Sequence, residues 1–184
     1  LKPAFDKTSG KGTLTAANST PLTDGASAVL LASEDWARAE GREPLAYLTH
    51  SRAAAFDFVA GEGLLMAPTQ AVANLLKATG LRLQDFDFYE IHEAFAAQVL
   101  CTLKAWETKA YCVDKLGMPD ALGAIDPAKL NVVGSSLAFG HPFAATGGRV
   151  LATAAKLLKE KGGGRALISI CTAGGMGVAA IVER

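Results

Sequence analysis

Blocks of apolar residues alternate with amphipathic stretches along most of the chain, and this alternation predicts strands followed by helices. Short apolar runs indicate buried strands, whereas apolar residues recurring every three or four positions indicate helices. The predicted strands are residues 27–33, 44–51, 85–91, 165–171 and 177–183; the predicted helices are residues 34–41, 68–80, 92–110 and 142–161. Strand–helix alternation of this kind favours an α/β fold with layered helices and sheet.

Turn residues define the ends of several of these elements. Pro68 lies in the first turn of one predicted helix and Gly80 ends it. The short glycine-rich turn TAGGM separates the last two strands and predicts an antiparallel hairpin, so the sheet is expected to be mixed. Residues 111–128 contain two prolines and several polar positions, and they are expected to be irregular.

The composition of the chain argues against some classes of binding partner and indicates a cellular compartment. Half of the residues are hydrophobic and the formal net charge is zero, so nucleic acid and anionic membrane surfaces are poor candidates. Three cysteines without a CxxC pair favour a reducing compartment, which we expect to be the cytoplasm, or the mitochondrion in a eukaryote. The chain begins at Leu1 within a loop-like sequence, and we expect an earlier segment to have been removed or to lie in another chain.

Three segments place a polar residue where a strand gives way to a turn or helix. They are IHEAFA (91–96), GHPFAATGG (140–148) and CTAGGMG (171–177). Because ligand sites in α/β sheets gather at such strand ends, three reactive side chains are expected to converge there. No recognised metal-ligand spacing occurs among the histidines and cysteines, so a metal site is not expected.

Each candidate residue also has an ordinary structural interpretation. His141 is either a packed histidine bound to a backbone carbonyl or a general base held by glycine and proline. Cys171 is either a small buried hydrophobe or a thiol beside backbone N–H groups that hold an oxyanion. His92 either caps a helix or holds a carbonyl oxygen or water, and Phe95 is either core or the wall of an apolar slot. Cys101 and Cys112 are interpreted as structural.

With these segments in hand, the chain resembles the C-terminal half of a thiolase, an acetyl-CoA acyltransferase. The motifs occur in the family's order: AANSTPLTDGASAVLLAS (16–33), HEAFAAQ (92–98), GHPFAATGGR (140–149) and CTAGGMG (171–177). His92 stands where other thiolases usually carry asparagine, and this points to the β-subunit of the fatty-acid oxidation multienzyme complex.

The resemblance implies a five-layered α-β-α-β-α fold built from two similar halves. Residues 1–44 would complete the N-terminal half and its loop region, and residues 45–184 would form the C-terminal domain. The implied partners are the N-terminal half, in the same or a separate chain, a second copy in a homodimer or higher oligomer, and a multienzyme α-subunit. Acyl-CoA is the implied substrate; no cofactor is implied, since coenzyme A is itself a substrate.

The resemblance also implies CoA-dependent cleavage of 3-ketoacyl-CoA in fatty-acid β-oxidation, or the reverse condensation. His141 would deprotonate a nucleophilic cysteine in the N-terminal half, and Cys171 would exchange a proton with acetyl-CoA and then with CoA. His92 and His141 would hold the thioester oxygen. The N–H of Ala173, where glycine is usual, would hold the acyl-enzyme oxyanion, and Phe95 would pack along pantetheine. This chain alone is expected to be inactive.

Two alternatives stay open at this point. A ketoacyl-synthase-like condensing enzyme would use a cysteine with two histidines, but it would not require Cys171. A non-catalytic acyl-CoA-binding homologue would lack the nucleophile altogether.

Overall fold

The structure is a computed structural model that describes residues 1–184. Residues 1–33 contain no helix or extended strand, and regular structure begins at α1. The helices are α1 Glu34–Ala39, α2 Ala67–Thr79, α3 Ala96–Glu107, α4 Lys109–Asp114, α5 Ser136–Phe139 and α6 Ala145–Lys161. The strands are β1 Tyr47–Ala55, β2 Phe88–Ile91, β3 Arg165–Thr172 and β4 Met176–Glu183. No helix combines the length and hydropathy needed to cross a bilayer.

The four strands form one mixed sheet in the order β1-β4-β3-β2. β3 and β4 form the expected antiparallel hairpin, and β1 pairs antiparallel with β4. β2 runs parallel to β3, with Ile91 opposite Ser169. The carboxyl ends of β2 and β3 therefore lie side by side, and these ends carry two of the three motif segments.

Helices cover both faces of this sheet. On one face, α2 packs against Leu167 and Ile181, with α3 and α4 completing a core around Trp106. On the other face, α6 packs against Ile168 and Val182. Successive strand residues point to opposite faces, so this division follows directly from the strand pattern. The architecture is the predicted α/β arrangement.

Two predicted helices begin later than expected, and each delay has a backbone cause. The helix expected from residue 92 begins at Ala96, because the His92 N–H still bonds the Ser169 carbonyl of β3. The helix expected from residue 142 begins at Ala145, because Phe143 has a φ of 43°, outside the right-handed helical region. The helix predicted at residues 92–110 also breaks at Thr108, and α4 extends to Asp114 within residues 111–128, which were expected to be irregular.

The strand predicted at residues 27–33 is absent. Val29, Leu30 and Leu31 have no regular structure and lie exposed, with Leu30 72% accessible. A strand needs a hydrogen-bonding neighbour, and no strand of this sheet pairs with these residues. Together with α1, β1 and α6 they border a largely apolar cleft of about 710 Å³.

Candidate active site

The three motif segments meet at the carboxyl ends of β2 and β3. His92 follows β2, and its N–H donates to the Ser169 carbonyl at 2.9 Å; Cys171 lies two residues beyond Ser169. The His141 imidazole lies beside that of His92, with ring centroids 4.4 Å apart. The predicted convergence therefore brings two histidines into contact and places the cysteine at the adjoining strand end.

Asn131 and Glu93 fix the turn that presents His92. Asn131 Oδ1 accepts from the Ile91 N–H at 2.8 Å, and its Nδ2 donates to the Ile91 carbonyl at 2.9 Å and to Glu93 Oε1 at 2.8 Å. Glu93 Oε2 accepts from the Leu137 N–H at 3.0 Å. Asn131 has a φ of 46°, which asparagine tolerates better than most residues. The Asn131 side chain thus bonds the N–H and carbonyl of Ile91 on the edge of β2 that faces away from β3.

His92 is almost fully buried, at 1% exposure. Its Nδ1 lies 2.8 Å from Ser136 Oγ, and Arg149 Nη2 donates to the same oxygen at 2.9 Å. Burial, and then the nearby His141 and Arg149, lower the pKa of His92 to about 4. His92 is therefore neutral near pH 7.

His141 is half-buried and also neutral. Its Nδ1 lies 2.7 Å from Thr146 Oγ1, so its partner is a hydroxyl rather than a backbone carbonyl. Burial, and then the charge of Arg149, lower the pKa of His141 below its ordinary value. In both imidazoles Nδ1 is hydrogen-bonded to a hydroxyl, that of Ser136 for His92 and that of Thr146 for His141. Nε2 of each ring is therefore available to a substrate or a nucleophile.

A polar segment, residues 18–27, holds the two histidine segments in place. It bonds the start of α3 through Thr20 N–H to the Ala94 carbonyl at 3.0 Å. It bonds the other segment through the Pro21 carbonyl, which accepts from the His141 N–H at 2.9 Å. Its Ser27 hydroxyl donates to the Ala145 carbonyl at 2.7 Å. These residues belong to the first of the four family motifs, AANSTPLTDGASAVLLAS (16–33).

The Cys171 thiol is buried and protonated. Burial raises its pKa to about 11, while the N–H groups of Cys171 itself and Ala94 act in the opposite direction. Ala94 lies two residues after His92, so this contact ties the sulfur to the histidine segment. A neutral thiol in this position is suited to giving a proton away.

Ala173 lies in the exposed turn between β3 and β4. Its N–H has no hydrogen-bond partner within the chain, and its φ is not positive, as alanine requires. The N–H is therefore available to a ligand. Its role as an oxyanion donor stays a prediction, as do the roles of the other site residues.

Phe95 occupies the N-cap position of α3 and is half-buried. Its ring meets Phe5 edge-on at 5.5 Å, so part of the ring is occupied by the N-terminal loop. Phe143, which the sequence did not single out, lies 5.2 Å from the His141 ring and is 64% exposed.

Glu90 is a buried polar group and Arg149 a half-buried one, and the sequence pattern gave no reason to expect either inside the protein. Glu90 is 1% exposed and neither carboxyl oxygen has a hydrogen-bond partner; Nε and Nη1 of Arg149 are likewise unpartnered. Burial raises the pKa of Glu90 to about 7, with Arg149 opposing and Glu93 reinforcing the shift. The carboxyl is therefore near half ionisation at neutral pH.

This shift predicts a pH-dependent stability. Because folding raises the carboxyl pKa from 4.5 to about 7, the contribution of Glu90 is complete below pH 4.5 and is lost as the pH rises through 7. The loss is expected to reach about 3 kcal/mol above pH 8. Glu90→Gln should flatten the fall in Tm between pH 5 and 8, measured by thermal unfolding. His92 is present in the wild type and in Glu90→Gln, so its contribution to the pH dependence is the same in both proteins. The control is Glu40→Gln, because Glu40 is exposed. If the pH dependence of Tm were the same in Glu90→Gln as in the wild type, Glu90 would not have a raised pKa in the folded protein.

The cysteines are expected to differ in reactivity. Cys101 is exposed, whereas Cys112 and Cys171 are buried and the pKa of Cys171 is raised. Iodoacetamide at pH 7.5 should modify Cys101 at least about 10-fold faster than Cys171, because only thiolates react and burial disfavours them. Peptide mass spectrometry of the folded protein gives the order of modification, and all three should react in denaturant. Equal rates for Cys101 and Cys171 would show that Cys171 is an activated thiolate.

Comparisons with known proteins agree with the motifs. The family model described as thiolase, C-terminal domain, matches residues 42–184, and that described as thiolase, N-terminal domain, matches residues 1–35. Proteins named 3-ketoacyl-CoA thiolase from Shewanella baltica and Shewanella loihica are 49% identical over 183 residues. The chain is covered completely but spans only 41% of the length of these relatives.

Solved structures give the same result for the fold. An acetyl-CoA acetyltransferase from Bacillus anthracis superimposes with a TM-score of 0.79, and human mitochondrial 3-ketoacyl-CoA thiolase with 0.77. Each is 34% identical, and the match covers 100% of this chain and 41% of the neighbour. The predicted α/β thiolase-like fold is confirmed, and the condensing-enzyme alternative loses its support. Together, the family match over residues 42–184 and the full-chain similarity to these proteins establish that this chain belongs to the thiolase family.

Proposed function

We propose that this chain is the C-terminal part of a 3-ketoacyl-CoA thiolase, which cleaves 3-ketoacyl-CoA with CoA to acetyl-CoA and a shortened acyl-CoA. The observation that carries the proposal is the pair of imidazoles, 4.4 Å apart, at the strand end beside Cys171, where burial lowers the pKa of both rings. The relatives named 3-ketoacyl-CoA thiolase support the choice of substrate class. Fatty-acid β-oxidation is the proposed setting, in the cytoplasm or, in a eukaryote, the mitochondrion.

The first half-reaction uses a nucleophilic cysteine of the N-terminal half. Its thiol gives a proton to Nε2 of His141, and the thiolate attacks the 3-keto carbon. The bond between carbons 2 and 3 breaks, and its electron pair remains on the acetyl-CoA carbon. Cys171 donates its thiol proton to that carbon, which agrees with its protonated state. Acetyl-CoA leaves, and the shortened acyl group stays on the nucleophile.

The second half-reaction returns every proton. The CoA thiol gives its proton to the Cys171 thiolate, and the CoA sulfur attacks the acyl thioester. The free N–H of Ala173 holds the oxyanion that forms. The acyl-CoA leaves, and His141 returns a proton to the nucleophile. His92 and His141 hold the acetyl thioester oxygen while negative charge develops on it during carbon–carbon cleavage.

An exposed apolar surface supports the N-terminal half as the first proposed partner. Val29, Leu30 and Leu31 are exposed beside the cleft that α1, β1 and α6 border. Covering such a surface favours association with the N-terminal half, in the same or a separate chain. A homodimer or higher oligomer, a multienzyme α-subunit and acyl-CoA are the other proposed partners.

An assay of the full-length protein tests the proposal. The protein is incubated with acetoacetyl-CoA or a longer 3-ketoacyl-CoA and free CoA, and acetyl-CoA is quantified by chromatography. Stoichiometric acetyl-CoA and shortened acyl-CoA are the expected products. Binding of acyl-CoA without turnover would instead favour the non-catalytic homologue.

A further inference from the structure

A chain of hydrogen bonds leads from the half-buried Arg149 through the buried Ser136 to the buried His92. Ser136 is 0% exposed and His92 is 1% exposed. The Ser136 oxygen has two partners, Arg149 Nη2 at 2.9 Å and His92 Nδ1 at 2.8 Å. Water does not reach the bond between Ser136 Oγ and His92 Nδ1. The position of the proton in this bond is therefore decided by Arg149, Ser136 and His92 alone.

The chemistry of the three groups fixes the direction of each bond. A guanidinium has donors only, so Arg149 donates to the Ser136 oxygen. The Ser136 hydroxyl proton then has one acceptor within reach, the Nδ1 of His92. The reverse arrangement would leave a buried hydroxyl proton without an acceptor, which costs about 1–3 kcal/mol. A doubly protonated ring is excluded near neutral pH by burial and by the adjacent Arg149 charge.

We propose that Ser136 is a positioning residue: oriented by Arg149, it donates its hydroxyl proton to His92 Nδ1 and holds His92 in the neutral tautomer that carries its proton on Nε2. This inference rests on the proposed function only for its catalytic consequence. A ring protonated on Nε2 presents a fixed N–H donor to the thioester oxygen. The same ring protonated on Nδ1 would present a lone pair and repel that oxygen.

The second histidine lacks this constraint. Thr146 Oγ1 bonds His141 Nδ1 and has no cationic donor of its own. No arginine fixes the direction of the bond between Thr146 and His141, and either group can donate in it. The inference therefore concerns the tautomer of His92 only, and the role of His141 as base belongs to the proposed function.

Nitrogen NMR tests the tautomer without any activity assay. The full-length protein is labelled with ring-¹⁵N histidine, and the signals of His92 are assigned by their loss in His92→Asn. The one-bond N–H coupling of His92 is expected on Nε2 in the wild type. In Ser136→Ala, at least part of the proton population is expected to move to Nδ1. A wild-type His92 protonated on Nδ1 would overturn the proposal.

Kinetics test the consequence for turnover. Ser136→Ala is expected to lower kcat by about 10- to 100-fold with KM changed less than about threefold, because the donor acts on charge that develops in the transition state. Ser136→Thr, which keeps the hydroxyl, should recover most of the rate. The matched control is Ser135→Ala: Ser135 is 1% exposed, but its hydroxyl has no partner, so near-native kinetics are expected.

The outcomes separate this inference from the proposed function. Equal losses in Ser135→Ala and Ser136→Ala would indicate a packing role and overturn the positioning role. A wild-type protein without thiolysis would refute the proposed function, and the NMR result would then still decide the tautomer of His92.

Discussion

His141→Ala in the full-length protein is expected to lower kcat for thiolysis by about 10³-fold or more, and Cys171→Ala by a similar factor. Each substitution removes a group that transfers a proton in the transition state, and such groups typically contribute 10²–10⁴-fold. His141 is half-buried and Cys171 is the small, next-to-last residue of β3, so loss of either side chain should leave the fold intact. Steady-state assays with acetoacetyl-CoA and CoA give the factors, and circular dichroism checks the fold.

Acyl-enzyme formation distinguishes the two roles. After incubation with acetyl-CoA, intact mass measurement should show an acetyl group on wild type and, formed more slowly, on Cys171→Ala, because attack on the thioester needs the base His141, whereas Cys171 only supplies a proton to the departing CoA sulfur. His141→Ala should remain unmodified. The exposed Cys101→Ala is the control and should behave as wild type. Near-native turnover by either site variant would contradict the assigned roles.

The sequence predicted the elements whose stability is local. α2 has a proline in its first turn and Gly80 at its end, where φ is 72°, so its limits follow from backbone chemistry alone. The β3–β4 hairpin likewise follows from two apolar runs and a short glycine turn. The run at 27–33 is as apolar as these strands, but no strand of this sheet pairs with it. Its composition therefore predicted a strand that does not form.

The site was predicted only as far as its motifs extend. Strand ends located His92 and Cys171, because parallel neighbours place their carboxyl ends together. Ser136, Arg149, Thr146 and Asn131 gave no signal of their own, because single polar residues look alike in sequence whether they face solvent or a buried nitrogen. Glu90 was missed for a related reason, since a carboxyl within a short strand normally indicates an exposed position.

The tight backbone before His141 yields the second large prediction. Gly140 has a φ of 92° and ψ of 174°, a region open almost only to glycine. A Cβ there would lie 2.5 Å from Thr23 Oγ1 and 2.6 Å from Thr23 Cγ2. Gly140→Ala is therefore expected to destabilise the protein by about 1–3 kcal/mol from backbone strain alone. By displacing the His141 backbone, it should also lower kcat by about 10²-fold.

Two further variants separate strain from collision. Gly80 also has a positive φ, 72°, but a Cβ there meets no atom within 4 Å, so Gly80→Ala should lower Tm slightly without changing kcat. Thr23→Ala removes the two atoms that Gly140→Ala would strike. The Thr23→Ala/Gly140→Ala double variant should therefore recover part of the lost rate, while the strain at residue 140 persists. If Gly140→Ala kept native kcat, the position of His141 would not depend on this contact, and Thr23 would have no part in aligning the base.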